Sequence, residues 1–89
     1  MNIIFTWHAK FEMKRRNIDE ILVRNVIEKP EQKLISKNNR VVYQNKYFDI
    51  KENIEIILRV ICEVEYETIK IITVYKTSKI QKYWIKDGV

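Results

Sequence analysis

The sequence predicts an α+β fold in which two N-terminal helices pack on a three- to four-stranded antiparallel sheet. Three observations predict it. Apolar residues recur at helical spacing before Pro30 and alternate with a period of two after it, and the chain has one Gly and one Pro to interrupt either pattern. Its 89 residues suit a single domain over 1–89. A chain of this length buries about 60–65% of its unfolded surface, enough for one modest core.

The elements follow in order. Ile3-Ile4-Phe5 reads as a short strand or a hydrophobic lead-in. Thr6 suits the N-cap of a helix reaching Arg16, a stretch with neither Gly nor Pro. Asn17 breaks that helix, and Asp19 can cap a second one running to about Glu28. Ile18, Leu22 and Val26 recur at four-residue spacing there, with Val23 and Ile27 beside them. Pro30 stops the second helix because it lacks a donor and restricts Lys29. Gln32–Ser36 then reads as a strand, Ser36-Lys37-Asn38-Asn39 as a turn, and Arg40–Phe48 as a second strand. From Glu55 to Val64 the alternation is strong: Ile56, Leu58, Val60, Cys62 and Val64 take one face, Ile57, Arg59 and Ile61 the other. Thr68–Thr77 is a further strand rich in β-branched residues, with Ile71, Thr73, Tyr75 and Thr77 expected on one face. Ser78–Trp84 closes the chain as a short helix or final strand.

Composition removes several classes of protein. An apolar fraction of 46% excludes disorder. The lone Cys62 forbids an internal disulfide and fits a reducing cytoplasm. Met1-Asn2-Ile3-Ile4-Phe5 is too short for a signal peptide or a membrane span, so a cytoplasmic protein with no membrane partner is expected. Net charge is +5, but the distribution says more. Residues 1–48 carry ten basic and five acidic side chains, residues 49–67 two and six, and residues 68–86 five and none. Such a chain either presents a basic face to nucleic acid or merely solvates itself with lysine.

One His and one Cys fall short of a zinc site, no carboxylate cluster suits magnesium, and no Gly-rich loop can cradle a nucleotide. No metal and no cofactor is therefore expected. What remains is metal-independent RNA cleavage, which needs a base for the 2′-OH, cations for the phosphorane and an acid for the leaving oxygen. His8 is the only side chain with an ordinary pKa near neutrality. On a helix it shares a face with Glu12, Arg15 and Arg16, where Glu12 either orients the imidazole or pairs with Arg16. A His at a helix start is also commonly a plain surface residue. Arg59 lies mid-strand between Ile57 and Ile61, so it is either salt-bridged to Glu12 or Glu55 or is a phosphate clamp. Tyr75 and Thr77 border the same position, with Ser78, Lys79 and Tyr83 at its edge, and Arg15, Lys76, Thr77, Ser78, Lys82 and Tyr83 are the expected RNA contacts. For Tyr83-Trp84, packing competes with base stacking.

Five short motifs are familiar in this order: His8-Ala9-x-x-x-Met13-x-x-Arg16-x-Ile18, Glu28-x-Pro30-Glu31, Arg40-Val41-Val42-Tyr43, Leu58-Arg59-Val60 and Thr73-Val74-Tyr75-x-Thr77-Ser78-Lys79. Over about residues 8–84 the chain resembles the domain of unknown function 4258 family, which in turn resembles the RelE/ParE/BrnT group of toxin-antitoxin toxins. The resemblance implies a toxin-like endoribonuclease acting on RNA, including ribosome-bound messenger RNA, with a cognate antitoxin protein as partner. It marks His8, Arg16, Arg59, Tyr75, Thr77, Ser78 and Lys79. In this reading His8 is the general acid or base, Arg16, Arg59 and Lys79 stabilise the transition state, and Tyr75 positions the substrate. Glu12 stands where relatives carry a basic residue, and the wider group includes gyrase poisons. Two other readings stay open: a non-catalytic module binding nucleic acid or protein through the same basic face, and a structural protein forming a homodimer through strand edges.

Overall fold

The computed structural model describes residues 2–86. Five strands, β1 (Asn2–Phe5), β2 (Gln32–Ile35), β3 (Arg40–Asp49), β4 (Ile54–Glu65) and β5 (Thr68–Thr77), form one sheet in the spatial order β1-β5-β4-β3-β2. Two nine-residue helices, α1 (Trp7–Arg15) and α2 (Glu20–Glu28), connect β1 to β2. A single turn of helix, α3 (Ile80–Tyr83), follows β5.

The sheet corrects the expected fold. It has five strands rather than three or four, it is mixed rather than antiparallel, and a strand precedes the two short helices. The cause is β1, which pairs in parallel with β5, setting Asn2 opposite Thr68 and Phe5 opposite Ile71. Parallel neighbours need a crossover, and here everything from α1 to β4 forms it. Both the Thr6 amide and its hydroxyl donate to the Ile71 carbonyl, at 3.3 and 2.8 Å, fixing the start of α1 against β5. Four residues at a chain start carry no signal of a partner lying over sixty positions away.

Local chemistry sets the other boundaries. Thr6 Oγ1 accepts from the Ala9 amide at 3.1 Å and Asp19 Oδ1 from the Ile21 amide at 2.8 Å, so both caps satisfy donors that the first helical turn leaves free. Asn17, Asn38, Asn39 and Asn53 all have positive φ, as does Tyr66. The Asn38-Asn39 pair turns β2 back into β3, because a tight hairpin favours two central residues in the left-handed region.

The two faces of the sheet differ sharply. Val41, Tyr43, Leu58, Val60, Cys62, Ile69, Ile71 and Val74 face the helices and pack with Ala9, Met13, Val23, Val26 and Ile27 in the main core. On β4 the expected alternation holds, leaving Ile57, Arg59 and Ile61 on the far side. On β5 it does not. A bulge at Ile61/Cys62 leaves Ile72 without an opposite residue, so Ile71 joins the core while Thr73, Tyr75 and Thr77 turn to the far side with Arg59. An extra residue in one strand reverses the parity of everything beyond it.

Leu58 is fully buried in the core. Leu58→Ala is expected to lower the unfolding free energy by about 2–5 kcal/mol in urea denaturation. Ile35→Ala, at an exposed edge position, is expected to stay within about 0.5 kcal/mol.

Candidate functional site

On the sheet face turned away from α1 and α2, β3 and β4 set Gln44 directly opposite Arg59, and β5 sets Tyr75 opposite Arg59 on its other side. The chain after β5 folds back over this face. Gln44, fully buried, joins the pieces. Its Nε2 donates to Gln32 Oε1 at 2.7 Å and to the Tyr83 carbonyl at 3.0 Å, and its Oε1 accepts from Arg59 Nη1 at 3.0 Å. Gln32 in turn donates to the Ile85 carbonyl and accepts from the Ile85 amide, which ties the terminal segment to β2.

Aromatic rings and cations interleave on this face. The Arg59 guanidinium lies 4.3 Å from the Tyr83 ring centre and 5.7 Å from that of Tyr75, and the two rings meet edge to face. Lys46 Nζ sits 4.5 Å over Trp84, and Lys82 Nζ 5.1 Å from Tyr83. Each contact attracts a cation to the negative face of a ring. Among the described residues, Arg59, Lys46 and Lys82 take part in no ion pair, whereas Arg15, Arg16, Arg24 and Arg40 each pair with a glutamate. Arg59 Nε is buried and donates to nothing among those residues. An arginine cannot shed its proton, so the site holds a permanent positive charge that hydrogen bonds only partly satisfy. The Tyr83 phenol is shifted below its ordinary value, first by a hydrogen bond with Lys82 and further by Tyr75 and Arg59. Burial pushes the Tyr75 phenol up.

The residues expected to act together divide between two faces. Arg59, Tyr75, Thr77 and Tyr83 converge on the far face. Ser78, Lys79 and Lys82 lie at its exposed margin, where the Lys79 amide donates to Thr77 Oγ1 at 3.1 Å. Lys76 stands opposite Leu58 and so points to the helix side. His8 is exposed on α1, in the helical layer across the sheet from Arg59. The expected meeting of imidazole and guanidinium is therefore corrected: β4 alternates, and α1 packs against the strand face that Arg59 does not share. Arg15 and Arg16 stay with α1. Both pair with Glu12, at 2.8 and 3.0 Å, and Arg16 Nη1 also donates to the Val74 carbonyl at 3.1 Å. Glu12 thus pairs with the arginines. Arg59 is bridged to neither Glu12 nor Glu55.

Three residues of the site escaped the sequence reading, Gln32, Gln44 and Lys46; Trp84, expected to pack or to stack on bases, lies beneath Lys46. Gln44 and Lys46 share the face of Val42 in the strand pattern of β3, and a polar residue repeated on that face was the available signal.

Burial pushes the Cys62 thiol up to about 12, which makes it inert at neutral pH. Among the described residues no group of three or more His, Cys, Asp or Glu could hold a metal ion, and no helix is long and apolar enough to cross a membrane. A family model described as a domain of unknown function (DUF4258) matches residues 5–76. No curated protein and no solved structure matches the chain.

The hydrogen bond from Arg15, with the nearby charges of Arg15, Arg16 and His8, holds the Glu12 carboxyl below its ordinary value of 4.5. A lowered acid stabilises the fold above that ordinary value and stops doing so as pH falls through its folded value. Thermal melts should therefore find Glu12→Gln less stable than the parent at pH 7, with the difference shrinking toward pH 3.

Proposed function

We propose that this chain, which belongs to the DUF4258 family, binds single-stranded RNA on the sheet face turned away from α1 and α2. One observation carries the reading. The half-buried Arg59 has no carboxylate partner among the described residues, yet its guanidinium lies against the rings of Tyr75 and Tyr83, with Lys46 stacked on Trp84 on the same sheet face. A cation left unneutralised beside aromatic faces suits a polyanion with flat bases. The exposed part of the guanidinium offers its charge to a phosphate, lysines follow the backbone, and rings take the bases. Lys79 and Lys82 at the margin extend the positive charge along the same side. The resemblance of the DUF4258 family to the RelE/ParE/BrnT group, in which related toxins cleave RNA without metal while others poison gyrase, favours RNA as the polymer.

A second reading, metal-independent cleavage of that RNA by a toxin with a cognate antitoxin as partner, is favoured by Tyr83. Its ring lies 4.3 Å from the Arg59 guanidinium and its phenol is shifted below its ordinary value, by Lys82 first and by Tyr75 and Arg59 further, so a titratable hydroxyl and a cation share one face without His8. In that reading the Tyr83 oxygen takes the 2′-OH proton as the 2′-oxygen bonds to phosphorus and returns a proton to the 5′-oxygen as its bond to phosphorus breaks, while Arg59 stabilises the charge that builds on phosphorus.

Fluorescence anisotropy with a 12-nucleotide single-stranded RNA tests the first reading. Arg59→Gln is expected to weaken binding on the order of tenfold and to lower the salt slope by about 0.7. Equal binding by parent and variant, or no salt-dependent binding by the parent, contradicts it. For the second, total RNA incubated in EDTA should be cut by the parent and spared by Tyr83→Phe; intact RNA in both leaves binding alone.

A further inference from the structure

The outward side of α1 is unlike the rest of the helical layer. Successive helical residues step about 100° round the axis, which puts Trp7, Phe11 and Lys14 within about 60° of one another. Lys10 flanks them on one side, Arg15 and His8 on the other. All six are exposed, and 77% of Trp7 remains open to solvent. The Trp7 and Phe11 rings stack at 5.5 Å between centres and 18° between planes. The only acidic residue of α1, Glu12, is buried and committed to Arg15 and Arg16. The crest of this helix is thus two parallel rings inside a cationic rim.

We infer that the outward face of α1, built on the Trp7–Phe11 stack and rimmed by Lys10 and Lys14, is a second docking surface for single-stranded RNA, across the sheet from Arg59. Two near-parallel rings use one face each on the other and leave their outer faces free, which extends the stack to bases on either side. Lysines one turn apart on the adjoining flank reach the phosphates of the same strand. The charge matches a polyanion because nothing acidic is exposed on α1 to oppose it. An exposed helix crest carrying two stacked rings suits flat bases better than an acidic peptide, which gains its area in a groove. RNA as the polymer rests on the function proposed above; the stacked single strand rests on α1 alone.

The chain has two tryptophans, so Trp84→Phe makes Trp7 the sole indole reporter. In that background a 12-nucleotide single-stranded RNA is expected to quench Trp7 emission. The Lys10→Gln/Lys14→Gln pair should raise the half-quenching concentration on the order of tenfold, and Phe11→Ala about fivefold or more. Adding Arg59→Gln should leave Trp7 quenching in place, so this surface survives even where the sheet-face reading fails. RNA that binds by anisotropy without changing Trp7 emission overturns the inference and spares the sheet-face reading. Quenching by poly-glutamate and not by RNA overturns it in favour of an acidic protein partner. Equal quenching by DNA of the same sequence overturns RNA as the ligand.

Discussion

Burial of the Gln44 amide is the constraint on which the far side of the molecule depends. A side-chain amide removed from water costs about 1–3 kcal/mol for each hydrogen bond it fails to make. Gln44 meets that demand with Gln32 on β2, Arg59 on β4 and the Tyr83 carbonyl after β5. Three segments distant in sequence are thereby held in one register. The same contacts fix where the guanidinium lies and lay the rings of Tyr83 and Trp84 beside the cations. The polar network and the candidate site are one structure.

A sheet with two covered faces can give each a different task. The helix side carries the apolar core and supplies the stability of a small domain. The far side is covered by about one turn of helix and a short tail held largely through side-chain amides and cation–π contacts. Such a cover is weaker than an apolar core, and that is where charge and aromatic rings collect. The β5 bulge makes the division possible, because it keeps Ile69 and Ile71 in the core while turning Tyr75 and Thr77 toward Arg59.

Much of this was legible in the sequence. Thr6 and Asp19 announce their helices by capping, Pro30 ends the second, and the alternation from Ile56 to Val64 separates the faces of β4 residue by residue. The paired asparagines mark the hairpin. What could not be read depends on distant partners. Ile3–Phe5 looks the same whether it is a lead-in or a parallel strand, because its partner is β5. The bulge has no Gly to signal it, so the face of Ile71 was misassigned. His8 and Arg59 were drawn together by chemical type, yet residue type does not say on which side of a sheet a helix packs. Arg59 stands out in the sequence as a cation among isoleucines, and neither Glu12 nor Glu55 neutralises it.

The central claim is that Arg59 is a held, unneutralised cation awaiting an anionic strand. Two-dimensional ¹⁵N NMR of the arginine side chains tests it most directly, by following the Arg59 Nε–H signal as a short single-stranded RNA is titrated in. The account predicts that this resonance moves in step with binding while the glutamate-paired Arg24 and Arg40 stay still. An Arg59 signal unmoved at saturating RNA would contradict it.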